Sequence, residues 1–197
     1  MDAIESRLID ATIELGALRP QSQSFSLREI ATKCGLSTYP IFFHYGGKEG
    51  LVNAAMNWIL ATSVTLFEEG MKPQESFAEK IQRLLEEGIA HPSQVRFLVN
   101  YGLWFEKSEE DPKRLELAYQ SGLANGKKLL TLLGLTYDSD DTCFLIFCSL
   151  LRQLSYASLT VLNEEAGDVQ SYLAIVSEEI RFGLRYFDEK EEKARHG

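Results

Sequence analysis

Residues of the types that chemistry needs are few in this chain, and their spacing does not match a known site. Gly46, Gly47 and Lys48 have the composition of a phosphate-binding loop. That loop also requires glycine at position 42 and serine or threonine at position 49, where the chain has Phe42 and Glu49. A turn that leads into a helix is therefore the favoured interpretation of this stretch.

The three cysteines and three histidines predict neither a metal site nor a catalytic centre. Cys34, Cys143 and Cys148 lie in apolar helical stretches without the spacing of metal ligands, which favours buried small side chains. The histidines, at positions 44, 91 and 196, are far apart in sequence. No nucleophile and base, zinc ligand set or cofactor loop can be assembled. We therefore expect no enzyme activity, no cofactor and no metal.

A central set of aromatic residues is the best candidate for a small-molecule site. Four of them, between positions 97 and 105, fall on one face of a predicted helix, a pattern that an ordinary core also produces. Arg152 interrupts an apolar helix, and its guanidinium must reach water, a bound anion or a carboxylate such as Glu106. We expect an internal cavity with Arg152 at its polar end. Its candidate residues are Phe97, Tyr101, Trp104, Phe105, Tyr119, Arg152 and Tyr156.

The stretch 26–51 predicts two short helices joined by a tight turn. Ser26 and Glu29 have the spacing of a capping box, and Gly35 is the residue type that ends a helix in a left-handed conformation. We expect the second helix to start at Ser37, with that serine as its cap. A helix-turn-helix can place its second helix in the major groove of DNA, although the same corner also occurs for packing alone.

The residues from Ile30 to Leu51 resemble the amino-terminal motif of the TetR family of transcriptional regulators. The family pattern, I-A-x-x-A-G-V-S-x-x-x-L-Y-x-x-F-x-x-K-E-x-L, matches this segment without a gap. Three features depart from it. Phe42 stands at the usual tyrosine, Tyr39 and Pro40 stand where small residues are common, and positions 38–45 have no lysine or arginine.

The resemblance implies a homodimer that binds a palindromic operator in double-stranded DNA, usually as a repressor, and responds to a small-molecule effector. It implies DNA contacts by seven residues. Those facing bases or sugars are Thr38, Tyr39, Phe43 and His44, and those holding phosphates are Arg28, Ser37 and Lys48. Lys48 can also be an ordinary solvated lysine.

The departures from the pattern leave a second hypothesis open. The chain can instead be a dimeric regulator of the same fold whose DNA-reading helix is degenerate and which binds another protein. Tyr39, Phe42 and Phe43 would then form the contact patch.

The apolar periodicity predicts an all-α chain with two units, a helix-turn-helix domain at 1–47 and a larger ligand-binding and dimerisation domain at 48–197. A long helix at about 48–70 should join them. Further helices are predicted at about 2–18, 74–90, 93–107, 111–133, 142–162 and 169–187.

The helix at 142–162 is apolar almost all round, which predicts a second buried face in addition to the one toward its own domain. Pairing with the final helix would give a four-helix dimer interface, as the resemblance also implies. The alternative is that both helices are the core of a monomer. The candidate interface residues are Phe144, Phe147, Leu151, Ile180, Leu184 and Phe187.

The net charge is −9, and the first 50 residues carry five basic and six acidic groups. Since DNA affinity depends on neutralised phosphates, the less acidic amino-terminal part is the better candidate to face DNA. The start of the chain lacks the apolar segment of a signal peptide, and the longest uncharged apolar run, 143–151, is far shorter than a membrane span. We expect a cytoplasmic protein without a membrane partner.

Overall fold

The computed structural model describes residues 2–19, 23–72, 74–102, 112–165 and 167–196; the side chains at 102, 112–118, 121 and 186–196 are not described. Within these ranges the chain is helical and has no β-strand, which confirms the all-α prediction. The helices form a small amino-terminal group and a larger bundle behind it.

The amino-terminal group contains α1 (Ala3–Leu18), α2 (Leu27–Cys34) and α3 (Tyr39–Tyr45). Ser26 caps α2 in a reciprocal pair with Glu29, as predicted. Gly35 ends α2 at φ 63° and ψ 35°, a left-handed conformation that glycine adopts without steric cost. These local signals fix the corner between α2 and α3.

The start of α3 differs from the prediction. Ser37 is not its cap; Thr38 holds that position, and no side-chain cap bond forms. The backbone of Thr38, at φ −75° and ψ −11°, is already nearly helical, whereas a capping hydroxyl needs an extended backbone. The hydroxyls of Ser37 and Thr38 therefore do not cap α3.

The chain continues through α4 (Lys48–Glu69), α5 (Phe77–Ala90) and α6 (Pro92–Phe97), followed by a π-helical turn (Leu98–Gly102). The long helix α4 starts and ends as predicted. The helix expected at 93–107 is described only to residue 102, and its second half in that range has π geometry.

The bundle is completed by α7 (Pro112–Leu133), α8 (Asp140–Leu162) and α9 (Val169–His196). Ser139 caps α8 by accepting a hydrogen bond from the backbone N–H of Thr142 at 3.3 Å. The last helix α9 continues beyond the predicted end at 187 to residue 196.

The helices form two hydrophobic cores, and α4 contributes residues to both. The larger core lies between α4, α5, α7, α8 and α9. The smaller joins the first three helices to the start of α4, with Leu8, Ile30 and Ile41 at its centre, and also contains Phe97 and Tyr101 from the α6 segment. The amino-terminal core therefore includes residues that lie far beyond position 47.

By length and composition alone, α4 and α8 are apolar enough to cross a membrane. In this fold both are packed helices of the bundle, with Ala55 and Ile59 of α4 and Ile146 and Leu150 of α8 almost fully buried. Core packing explains only the inward side of α8, because its outward side also carries large apolar residues.

Candidate nucleic-acid interface and ligand pocket

The helix α3 presents three aromatic rings to solvent. Its inner edge is anchored by Ile41, which is 0% exposed, whereas Tyr39, Phe42 and Phe43 are 70%, 55% and 70% exposed. The rings of Tyr39 and Phe43 stack, with centroids 6.0 Å apart and planes at 23°. A one-residue step of about 100° from the buried Ile41 turns Phe42 outward.

The other candidate DNA-contact residues are exposed or half-buried. Ser37 is exposed in the turn, Thr38 is half-buried at the start of α3, and Arg28 is exposed in the first turn of α2. His44 lies at the end of α3, where its Nδ1 is 3.5 Å from Glu5 Oε1 of α1. A shared contact with DNA by these residues stays a prediction.

Most of the basic side chains in the amino-terminal group already contact other protein atoms. Four of the five basic side chains in the first 50 residues are engaged by protein atoms: Arg7 by the Cys34 carbonyl, Arg19 by Glu29, Lys33 by Glu14, and Lys48 by the Ser24 hydroxyl and the Phe25 ring. Burial lowers the pKa of Lys48. Arg28 has no partner among the described residues, so it is the cation best placed to meet a phosphate.

Tyr45 occupies the position of the pattern's phenylalanine and brings a hydroxyl into the core. Its Oη is buried without a hydrogen-bond partner among the described residues. Burial, followed by the charges of Glu5 and Asp2, raises the pKa of Tyr45 to about 12. The chain therefore has a tyrosine hydroxyl one helical turn after Phe42. This hydroxyl faces the core and not the exposed side of α3.

The end of α1 packs closely on the α6 segment. A β-carbon on Gly16 would lie only 2.5 Å from Phe97 Cδ2, so glycine permits this approach. Asn100 Nδ2 donates to the Gly16 carbonyl at 2.8 Å, which also accepts from the backbone N–H of Arg19 at 3.4 Å. Phe97 and Tyr101 stack on each other with centroids 5.2 Å apart. These two predicted ligand residues are therefore core residues of the α1–α6 contact.

A pocket of about 80 Å³ lies between α4, α5, α6 and α8. Its walls are mainly apolar and include Ile59, Val64, Leu98, Phe147, Leu151 and Leu154. Its polar lining consists of Ser63, Glu87, His91, Gln94, Ser155 and Ser158. His91 Nδ1 lies 3.1 Å from Glu87 Oε1. Sequence reasoning missed these polar residues because they come from four helices and the α5–α6 junction, with no shared motif.

The remaining ligand candidates do not line this pocket. Arg152 and Tyr156 are exposed on the outward side of α8, so the predicted role of Arg152 at the end of an internal cavity is wrong. The Tyr119 hydroxyl donates to Asp141 Oδ1 at 3.0 Å, and its ring packs on Phe144. Trp104 and Phe105 lie outside the described residues.

The predicted interface residues on α8 and α9 mostly face inward. Phe147, Ile180 and Leu184 belong to the larger core, Leu151 lines the pocket and Phe144 packs on Tyr119; the side chain of Phe187 is not described. The residues that do face outward are Leu145 (60% exposed) and Tyr156 (51%) on α8, with Ile175 (57%) and Phe182 (75%) on α9. We call these four residues the α8–α9 outer face. The helices were predicted correctly and their faces were not.

Among the described residues, no group of three or more His, Cys, Asp or Glu could hold a metal ion. Cys34 and Cys143 are buried and Cys148 is half-buried. Burial raises the pKa of Cys148 to about 11, so its thiol is protonated at neutral pH and a poor nucleophile.

Solved structures with a similar fold include several transcriptional regulators. FadR from Bacillus subtilis, in complex with stearoyl-CoA, is similar with a TM-score of 0.59 and 17% identity over 89% of this chain and 96% of that chain. FadR from Bacillus halodurans has a TM-score of 0.62 and 16% identity over 94% and 98% of the two chains. A TetR family regulator from Marinobacter aquaeolei VT8 has a TM-score of 0.62 and 15% identity over 89% and 92%.

No protein-family model and no curated protein matches the sequence. At the identities of the structural matches, shared architecture is what the likeness establishes. The helix order, the amino-terminal helix-turn-helix and the larger helical bundle all agree with those structures, and the chain has the fold of the TetR-family transcriptional regulators.

Proposed function

We propose that the protein is a homodimeric transcriptional regulator that binds a palindromic DNA operator through α3 and is controlled by a small-molecule effector. The observation that carries the proposal is the position of α3. It is the second helix of a helix-turn-helix, one edge is fixed on the core by Ile41, and its opposite side is open to a partner. Repression is the expected outcome, because a bound dimer blocks the promoter it covers.

Dimerisation is supported by the α8–α9 outer face. Its four large apolar side chains are at least half exposed in the single chain, and an exposed apolar patch of this kind marks an interaction site. Two copies related by a two-fold axis would cover the face with itself. The interface we propose therefore uses Leu145, Tyr156, Ile175 and Phe182, with Arg152 between them on α8.

Control by an effector is supported by the contact between α1 and α6. The pocket touches α4 and α6, and the end of α1 is held by Phe97 of α6 and by Asn100 of the π-helical turn that follows it. A ligand that shifts α6 would therefore move α1 and the recognition helix packed beside it. Such coupling requires the ligand to bind one arrangement better than the other. Ligand binding also has a precedent in the fold, since FadR from Bacillus subtilis was solved in complex with stearoyl-CoA.

The second candidate function is binding to another protein through Tyr39, Phe42 and Phe43. The observation in its favour is the exposed aromatic surface of α3, which has no lysine or arginine. The two functions differ in their salt dependence. DNA binding weakens steeply as salt rises because counterions are released, whereas an apolar protein contact does not.

The deciding experiment is a selection of genomic DNA fragments with the purified full-length protein, followed by titration of the best duplex at several salt concentrations. We expect a two-fold symmetric site and salt-dependent affinity. Arg28→Ala removes one phosphate-facing cation from each subunit. The slope of log K against log salt should therefore fall by about 1.8, at about 0.9 per phosphate contact.

Lys72→Ala is the matched control. It removes the same charge from an exposed site just beyond α4, a helix whose 22 residues put it about 30 Å from α3. Its salt slope should equal that of the wild type. Failure to prefer any duplex over random DNA at low salt would overturn the regulator proposal and favour the protein-binding function.

A further inference from the structure

The pocket between α4, α5, α6 and α8 has two serines of α8 on its wall. Ser155 is 4% exposed and lines the pocket. Its neighbour Ser158 donates to the Leu154 carbonyl at 2.9 Å. A serine hydroxyl on a pocket wall can donate to, or accept from, a polar atom of a bound molecule. The pocket is thus suited to a guest with a polar atom, as well as to apolar groups.

The same pocket is continuous in its lining with an open groove on the α1 side. His91 and Gln94 line both. The groove has a volume of about 380 Å³ and adds Asp10 and Glu14 from α1 and the Trp58 ring from α4. A molecule that enters the pocket past His91 therefore has its outer end between α1 and α4.

The charged side chains that line the pocket and the groove are carboxylates. Glu87 lines the pocket, Asp10 and Glu14 line the groove, and no lysine or arginine is among the described residues that line either. His91 is the one lining residue that can become positive, and it lies against Glu87. Glu14 is bridged by Lys33 at 2.7 Å, which leaves Asp10 as the less neutralised carboxylate. An anionic head group would meet repulsion here, whereas a cation would meet attraction.

Trp58 adds a second preference for a cation. Tryptophan is the strongest of the aromatic side chains in binding an ammonium group over its ring face. A half-buried indole flanked by carboxylates is the arrangement in which that interaction is strongest, because the cation is partly desolvated. The size of the pocket limits the rest of the ligand, since about 80 Å³ admits a short alkyl chain or a small ring.

From this geometry we infer that the effector is a small organic cation, a protonated amine or quaternary ammonium, whose apolar part enters the pocket at Ser155 while its charged head lies in the groove at Asp10 and Trp58. The inference rests on the proposed function for its role as effector. It assigns the ligand's chemical class. It also places the ligand's head against α1, so that the ligand itself bridges the amino-terminal helices and the bundle.

The test uses three probes with the same six-carbon chain: hexyltrimethylammonium, 1-hexanol and hexanoate. Their binding to the full-length protein, without DNA, is measured by ligand-detected NMR titration. We expect the cation to bind about tenfold more tightly than hexanoate, with the alcohol between them.

Two sets of variants test whether the proposed site causes this order of affinities. Asp10→Asn combined with Glu14→Gln should reduce the preference for the cation over hexanoate to about threefold or less. The control pair, Glu164→Gln with Glu165→Gln, removes the same charge from the exposed α8–α9 connection and should preserve the preference. Ser155→Val replaces the hydroxyl with two methyl groups, which narrows the pocket and removes its polar contact. It should weaken binding of all three probes without lowering Tm.

Binding of hexanoate as tightly as the cation, no binding of any probe, or a preference that survives the Asp10 and Glu14 substitutions would overturn the inference. Because these titrations contain no DNA, they are independent of the operator selection. Cation binding without a selected operator would contradict the regulator proposal alone. A selected operator without cation binding would contradict the effector class alone.

Discussion

At the scale of single residues, α3 differs from an ordinary recognition helix in what it can offer to DNA bases. Its outward side has rings and one imidazole, and its exposed part has no guanidinium or amide with which to form bidentate hydrogen bonds. Aromatic carbon can still distinguish thymine, whose C5 methyl group projects into the major groove. Under the proposed function, Tyr39 and Phe43 should therefore read methyl groups.

This leads to a prediction about the operator itself. Replacing single thymines in a selected half-site by deoxyuridine removes only the methyl group. We expect about a fourfold loss of affinity at each contacted thymine, because burial of one methyl group contributes about 0.8 kcal/mol. Competition binding with the substituted duplexes measures the loss. Deoxyuridine outside the half-sites is the control, and full affinity after every substitution inside them would show that the rings do not read methyl groups.

A second residue-scale prediction concerns Tyr45. Tyr45→Phe removes a buried hydroxyl that has no described partner, and so removes a desolvation cost. We expect the free energy of unfolding to rise by about 1 kcal/mol in thermal or urea denaturation, with unchanged DNA affinity. Tyr101→Phe is a suitable comparison, since its hydroxyl lies 3.4 Å from Ser24 Oγ and its loss should not stabilise. A Tyr45→Phe protein less stable than wild type would show that the hydroxyl has a partner in solution.

At the scale of elements, the sequence predicted what local signals control. The Ser26–Glu29 box and Gly35 each act within a few residues, and the corner they define was found where expected. The faces of α8 and α9 could not be predicted in the same way. Both sides of α8 are apolar, so the pattern cannot tell the face toward α5 and α7 from the outward face. Phe147 and Leu145 are only two positions apart, and tertiary packing alone separates their roles.

The ligand site shows the same limit. Phe97 and Tyr101 belong to the aromatic stripe that suggested a ligand site, yet both pack against Gly16 of α1. A stripe at helical spacing does not show whether its rings face a ligand or another helix. The residues that line the pocket come mostly as isolated serines, a histidine and a glutamate on separate helices. Only the assembled fold brings them together.

The cap of α2 gives an element-scale prediction about pH. The N–H of Ser26 and the Arg19 guanidinium hold the pKa of Glu29 at about 2, against an ordinary 4.5. A carboxyl whose pKa is lowered by folding stabilises the native state above its unfolded pKa and loses that contribution as pH falls. The Tm difference between wild type and Glu29→Gln should therefore be constant above about pH 5 and shrink to zero between pH 4.5 and 2.

Scanning calorimetry across that pH range measures the difference. Glu69→Gln, an exposed carboxylate in the last turn of α4, is the matched control for a general loss of negative charge. A difference for Glu29→Gln that persists unchanged at pH 2 would mean that the ionised carboxylate is not what stabilises the cap.

At the scale of the whole molecule, the α8–α9 outer face should determine the oligomeric state. Phe182 is 75% exposed in the single chain, so Phe182→Glu should leave the fold intact while placing a charge in the proposed interface. We expect monomers in sedimentation equilibrium, and operator affinity reduced to that of a single half-site. Leu18→Glu alters a residue of equal exposure (77%) at the end of α1 and should remain dimeric. A dimeric Phe182→Glu protein would place the interface elsewhere.

The smaller core has a consequence for how such proteins can be recombined. Because Phe97 and Tyr101 complete the packing around Phe25 and Gly16, the amino-terminal helices are not a unit that ends at the start of α4. A chimaera that transplants residues 1–47 onto another bundle would contain a cavity in this core unless the new bundle supplied matching rings. The residues on the two sides of this contact must therefore be exchanged together.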